Sequence, residues 1–172
     1  MSVDRIDTLT ENDLREAGSV KWTTFPDTIG AFVAEMDFGV APAVKDAVGD
    51  ALEQGLTGYL PQHLADELAA ATATWYAARY GWEISSAQVK QVPDVITAFE
   101  YAIEQYTAPG AAVIVPTPAY MPFLMVPPMH GRRVIEVPSI VENGRWVLDH
   151  DAVAAAFAEG GELLVLCNPH NP

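Results

Sequence analysis

Hydrophobic positions along the first half of the chain recur at helical spacing, and along the second half they gather into short runs separated by helical stretches. Residues 10 to 17 predict a short helix, with Thr10 as N-cap, Asp13 three residues on and Gly18 as terminator. Residues 20 to 40 scatter Trp22, Phe25, Phe32 and Phe38 among Gly and Pro, which predicts an extended arm. Pro42 suits the first turn of a helix that carries Val44, Ala47, Val48, Ala51 and Leu52 on one face and stops at Gly55. Thr57 to Pro61 follows as a loop. Residues 62 to 80 predict a longer helix, with Leu64, Leu68, Ala71 and Trp75 spaced for burial and Gly81 closing it.

From residue 88 the pattern alternates. Val89 to Val92 predicts a short strand, 95 to 107 a helix, Ala111 to Val115 an apolar strand, and 119 to 129 a helix crowded by Pro122, Pro127 and Pro128. Arg133 to Val137 predicts another strand and Asn143-Gly144 a hairpin turn. Asp149 to Ala158 then reads as a helix capped by Asp149, and Glu162 to Cys167 as a final strand. Strands alternating with helices at this spacing predict an α/β fold around a mostly parallel sheet, unfinished at its C-terminal side.

Composition narrows the function classes. The chain has 172 residues, half of them hydrophobic, enough for a core without disulfide or metal staples. Its formal charge of -14, from nine Lys plus Arg against 23 Asp plus Glu, argues against nucleic acid and anionic membrane surfaces as partners. The single cysteine, Cys167, excludes an intrachain disulfide framework and a multi-cysteine metal site. His63, His130, His150 and His170 are scattered in sequence, so metal binding is not expected. The amino-terminal stretch MSVDRIDTLTEND lacks the pattern of a leader, and no apolar stretch reaches the roughly 18 residues of a membrane span. A soluble protein of the cytoplasm is the expectation.

Four loops hold candidate chemistry, each with an ordinary structural reading beside the functional one. At Val92-Pro93-Asp94-Val95-Ile96-Thr97, the amides of Val95, Ile96 and Thr97 would face outward at a helix N-terminus, where an anion such as phosphate is favoured. The same residues also make a plain N-cap, and Asp94 would repel a dianion unless it turned away. After the strand AAVIV, Pro116-Thr117-Pro118-Ala119-Tyr120 would present the Tyr120 ring for stacking or simply for packing. In the terminal CNPHNP, Asn171 could bond a ligand oxygen from a Pro-locked loop, although Asn-Pro turns are common. Gly58-Tyr59 lies in the fourth loop. No GxGxxG or Walker-type glycine loop is present.

Taken in order, VAEMDFGVAP (33 to 42), TGYLPQ (57 to 62), VPDVITAFEYAI (92 to 103), PTPAYMPF (116 to 123) and LCNPHNP (166 to 172) resemble the fold-type I pyridoxal-phosphate (PLP) enzymes of the class I/II aminotransferase family. The wording MDF, TPAY and CNPHNP is most similar to the MalY/PatB-type carbon-sulfur β-lyases, the cystathionine β-lyases. The resemblance implies an N-terminal helix and arm over 1–40 and, over 41–172, about half of the mostly parallel sheet of a PLP-binding large domain, cut after the Asn-Pro motif.

The same resemblance assigns roles. Val95, Ile96 and Thr97 would hold the cofactor phosphate, Tyr120 would stack on the pyridine ring, and Asn171 would donate to the phenolic oxygen. Tyr59 would reach the phosphate of a neighbouring subunit in a homodimer, and Met36, Asp37 and Phe38 would border the substrate carboxylate. The Schiff-base lysine of the family would lie past Pro172, because Lys21, Lys45 and Lys90 lack its setting. No catalytic residue is therefore assigned within the chain. Implied for the whole protein is β-elimination of a thiol from cystathionine or cysteine conjugates, with aminotransferase as the alternative, and the chain by itself is expected to be inactive. A catalytically dead binding or scaffold protein of the same fold is the remaining expectation. Asp94 and the Pro127-Pro128 pair depart from the family pattern.

Overall fold

The computed structural model describes residues 6–172. Residues 1–5, part of the amino-terminal stretch expected to carry no leader, lie outside the described residues. The chain separates into two compact units, Met1–Leu64 and Ala65–Pro172.

In the first unit, helix α1 (Glu11–Ala17) begins with the capping box expected of Thr10 and Asp13 and ends at Gly18 in the left-handed conformation, φ 77°. Thr10 N donates to the Asp13 carboxylate at 2.8 Å, so the sequence spacing is used as expected. The segment 20–40 departs from a plain extended arm. It starts with a short helix, α2 (Val20–Thr23), pinned by charge-assisted bonds. Lys21 Nζ donates to Asp37 Oδ2 at 2.6 Å and to the Glu35 carbonyl at 2.9 Å, and Trp22 Nε1 donates to Asp37 Oδ1 at 2.8 Å. Arg15 crosses from α1 to donate to the Trp22 and Thr28 carbonyls. Helix α3 (Pro42–Glu53) has Pro42 in its first turn, and Gly55 turns the chain at φ 72°.

Helix α4 (Gln62–Tyr80) has the predicted bounds and closes at Gly81, φ 64°. Its expected burial does not occur: Trp75 is 61% exposed, Leu68 is also exposed, and Ala69 is the residue of α4 that is buried. Spacing marks a face, but burial needs a partner element, and none covers this face among the described residues. Val89 to Val92 is likewise not a strand. A 3₁₀ turn, Ser86–Gln88, precedes it, and no strand pairs with it among the described residues, so its backbone has no ladder to join.

Helix α5 (Val95–Tyr106) leads to β1 (Ala112–Thr117). Helix α6 (Pro122–Met129) starts at Pro122, later than expected, and contains Pro127 and Pro128. Then come β2 (Arg133–Pro138), the hairpin β3 (Ile140–Glu142) and β4 (Arg145–Val147), helix α7 (His150–Ala158), and β5 (Gly161–Leu164), whose ladder is shorter than the expected strand. The hairpin turns on Asn143 and Gly144, both at positive φ. β1 lies between β2 and β5 and pairs parallel with both, so the α/β fold and its parallel sheet stand as predicted.

As the central strand, β1 is buried from Ala112 to Pro116, which explains a continuous apolar run in place of alternation. Its side chains divide by parity. Val113 and Val115 meet Ile103 of α5 and Val126 of α6, whereas Ile114 faces Val137, Val153 and Ala156, the last two on α7. Helices therefore cover both faces of the sheet.

Candidate active site

Parallel strands end together, and the candidate residues of the second unit collect at that end. The orientation of α5 follows from its C-terminal contacts. Arg132, just before β2, donates through Nε to Thr107 Oγ1 at 3.0 Å and through Nη2 to the Thr107 carbonyl at 2.8 Å. Glu162, at the start of β5, accepts from Ala108 N at 2.7 Å. The C-terminus of α5 thus sits at the amino end of the sheet. Twelve helical residues span about 18 Å, and the six-residue β1 spans roughly 20 Å, so Val95, Ile96 and Thr97 reach the carboxyl edge. Ile96 and Phe99 pack against the core beneath them.

Helix geometry leaves the first amides of α5 without intrahelical acceptors. Asp94 caps the helix as predicted, its Oδ1 accepting from Thr97 N at 2.8 Å. That contact uses one of the three expected phosphate donors and places a carboxylate at the same terminus. The amides of Val95 and Ile96 remain for an anion, and Val95 is 76% exposed.

Tyr120 follows β1 at the same edge, 44% exposed, with its ring edge-on to Phe123 at 5.6 Å between centroids. Phe123 in turn meets Phe99 of α5 edge-on at 5.6 Å. This aromatic file joins the Tyr120 loop to α5, and sequence reasoning missed it. The signal available was spacing, with Phe99 one turn after Val95 and Phe123 three residues after Tyr120.

The CNPHNP loop leaves β5 beside the Tyr120 loop. Val165 N donates to the Ile114 carbonyl at 2.9 Å, and His170 Nε2 stands 2.9 Å from the Pro118 carbonyl. Cys167 Sγ donates to the Pro169 carbonyl at 3.4 Å. Asn171 is exposed next to His170. Val95, Ile96, Thr97, Tyr120 and Asn171 are accordingly brought to one edge of one unit. A cavity of about 200 Å³ opens behind the loop between Pro116, Trp146, Leu148, Cys167 and His170.

Tyr59 belongs to the first unit, where it is fully exposed and lines a cavity with Gly55, Leu56 and Leu64. Met36, Asp37 and Phe38 are also in that unit. Met36 and Phe38 are exposed, and the Asp37 carboxylate is held by Lys21 and Trp22. The Lys21 hydrogen bond, then that of Trp22, holds the Asp37 carboxyl below its ordinary value of 3.8. A depressed folded value stabilises the arm above the ordinary carboxylate range, and this stabilisation is lost as pH falls through the lowered value. Trp22 fluorescence in the isolated protein should accordingly change with a midpoint below 3.8. A midpoint at or above 3.8 would contradict the bond network.

The histidines are not all isolated in space. His130 Nδ1 lies 3.0 Å from Glu104 and Nε2 lies 3.8 Å from Glu100, a contact the sequence spacing did not show. The two ring nitrogens face different carboxylates, and among the described residues no group of three His, Cys, Asp or Glu could hold a metal ion. Among the same residues, no helix is long and apolar enough to cross a membrane.

A sequence profile of aminotransferase class I and II matches residues 29–172. The chain belongs to the aminotransferase class I and II family. It is 40% identical over 161 residues to a cystathionine beta-lyase of Corynebacterium glutamicum, which covers 93% of this chain and 42% of the relative. Among solved structures, one from Corynebacterium diphtheriae assigned as a PLP-dependent β-cystathionase superposes with a TM-score of 0.82 at 34% identity, over 95% of this chain and 42% of that one. Cystalysin from Treponema denticola, solved with its pyridoxal 5'-phosphate cofactor, gives 0.78 at 25% identity, over 95% of this chain and 43% of its own. The chain thus spans about two-fifths of the length of the relatives it matches. The α/β fold expected from the sequence is the fold these proteins share.

Proposed function

We propose that the carboxyl edge of the β2-β1-β5 sheet holds pyridoxal 5'-phosphate, and that the chain is the cofactor-holding part of an enzyme acting on amino acids. The observation that carries this reading is the convergence of the α5 N-terminus with the Tyr120 and Asn171 loops at the end of parallel strands, in a chain of this family. The residues fit the group. Val95 and Ile96 supply amides for the phosphate, helped by the positive end of the helix dipole. Tyr120 offers a half-exposed ring for a planar heterocycle. Asn171 offers a side-chain amide for a phenolic oxygen. Asp94 opposes the phosphate charge, so binding is weaker than these contacts alone would give.

When bound, the cofactor supplies an electron sink for carbanion chemistry at the amino-acid Cα. For the whole protein we favour β-elimination from cystathionine or cysteine conjugates. The Cα–H proton is removed, the Cβ–S bond breaks with its electron pair going to sulfur, and thiol, pyruvate and ammonia result after uptake of one water. Amino-group transfer to a 2-oxo acid is the second reading, favoured by the family's own name. In either case these residues bind and orient, with Tyr59 reaching the phosphate of a second subunit and Met36 to Phe38 bordering the substrate. The N-terminal arm, the homodimer and a cytoplasmic setting belong to the same proposal.

Lys21 is already held by Asp37 and the Glu35 carbonyl. We infer that neither it nor Lys45 nor Lys90 forms the covalent link. The test is a titration of the 172-residue protein with PLP and with pyridoxal, followed by borohydride reduction and peptide mass analysis. The expected result is saturable PLP binding, binding of pyridoxal about tenfold or more weaker, in line with charge-assisted phosphate bonds, and no stoichiometric pyridoxyl adduct on any one lysine. Equal affinities would remove the phosphate site, and a stoichiometric adduct would overturn the assignment of the lysines. Protein isolated from its source, assayed with cystathionine, decides the reaction. Pyruvate and homocysteine in equal amounts support the lyase, and amino transfer to a 2-oxo acid supports the aminotransferase.

A further inference from the structure

We infer that His170 is a positioning residue that sets the spacing between the two ligand-facing loops and so places Tyr120 and Asn171 for one planar ligand. This rests on the PLP reading of the same edge. A proline carbonyl oxygen can only accept, so the 2.9 Å contact with Pro118 requires His170 Nε2 to carry the hydrogen. The bond joins loops that are 52 residues apart in sequence. It also falls where the sheet no longer holds them. The ladder between β5 and β1 runs through Leu164, the Val165 amide adds one more bond to Ile114, and Leu166 onward has left the strand.

Both sides of the bond are stiff, which lets one contact fix a distance. Pro169 precedes His170 and Pro172 follows Asn171, while Pro116 and Pro118 bracket Thr117, and each proline holds its own φ. Cys167 donates to Pro169 inside the loop, tightening the turn that carries the imidazole. Asn171 is the next residue after His170, and Tyr120 lies two residues after Pro118. His170 is exposed, and its inner side borders the open cavity with Trp146 and Cys167, so the hydrogen bond fixes the ring where close packing does not. On the other loop, Tyr120 already meets Phe123, which is braced in turn by Phe99. The imidazole therefore registers the Asn171 loop against a side that is braced.

The test compares the protein with His170→Leu, which removes the donor, and His170→Gln, whose side-chain amide can place a donor near the Nε2 position. Loss of one hydrogen bond should weaken PLP binding about fivefold in His170→Leu. His170→Gln should stay within about twofold of the parent, and inorganic phosphate, held at α5, should compete equally well in all three. Order parameters of the Ala119, Tyr120 and Asn171 amides should fall below about 0.6 in His170→Leu and recover in His170→Gln.

Unchanged order parameters in His170→Leu would overturn the inference, whether or not PLP binds. So would PLP affinity that is unaffected by leucine, equally poor in both variants, or lost together with phosphate affinity. Failure of the parent protein to bind PLP contradicts the functional reading instead, and the order parameters still decide the role of His170.

Discussion

Ile114→Ala should lower the unfolding free energy of the second unit by about 2–5 kcal/mol, the largest stability effect expected of a single substitution here. Ile114 is completely buried at the centre of the middle strand, against Val137, Val153 and Ala156. Gly161 lies on the same face, where an added Cβ would come 2.5 Å from Ile114 Cδ1 and 2.9 Å from the Ala156 carbonyl oxygen. The Ile114 side chain therefore lies over residue 161, which has no side chain of its own, and fills that space. Truncation leaves a cavity with rigid walls of backbone and β-branched side chains, which collapse poorly. Gly161→Ala is expected to cost about 1–3 kcal/mol by overpacking the same spot. Urea unfolding followed by circular dichroism checks both. A cost for Ile114→Ala below about 1 kcal/mol would mean that the core is looser than the packing described.

Asp94→Ser should tighten PLP binding, roughly five- to a hundredfold. The Asp94 carboxylate sits at the N-terminus of α5, where the phosphate is proposed to lie. Two unit charges about 5 Å apart repel by about 1–3 kcal/mol at effective dielectric constants between water and a protein surface. Serine is as good an N-cap as aspartate, so it can still accept from Thr97 N and the helix should change little in stability. The gain should shrink as salt rises, because the repulsion is screened. Measured affinities that do not change, or that fall, would place the phosphate away from α5.

What the sequence made legible was mainly what neighbouring residues decide among themselves. The capping box of Thr10 and Asp13, the cap at Asp94, the Asn143-Gly144 turn and the bounds of α4 are local, and each is used as predicted. The continuous apolar run of β1 likewise announced a strand covered on both faces. Elements that depend on distant partners were less legible. Val89 to Val92 has strand-like residues but no strand beside it among the described residues, and the apolar face of α4 has no cover there.

In the candidate site, motif order picked out four loops, and the parallel sheet explains why three of them meet. The fourth, at Tyr59, belongs to the other unit. The His170–Pro118 bond and the pairing of His130 with two glutamates were invisible because they join distant parts of the chain, and spacing only hinted at the Phe99–Phe123–Tyr120 file because its contacts depend on side-chain direction.

Val95→Pro tests most directly whether the first amides of α5 hold the cofactor phosphate. Val95 is the first residue of the helix, where proline is tolerated because the missing N–H has no intrahelical acceptor. Asp94 before it is extended, at φ -160° and ψ 173°, as a residue preceding proline prefers. The substitution thus deletes one proposed phosphate donor with little effect on the fold. PLP affinity should fall about tenfold or more, the cost of one charge-assisted hydrogen bond, with pyridoxal binding and thermal stability unchanged. PLP affinity equal to that of the parent protein would contradict a phosphate held there.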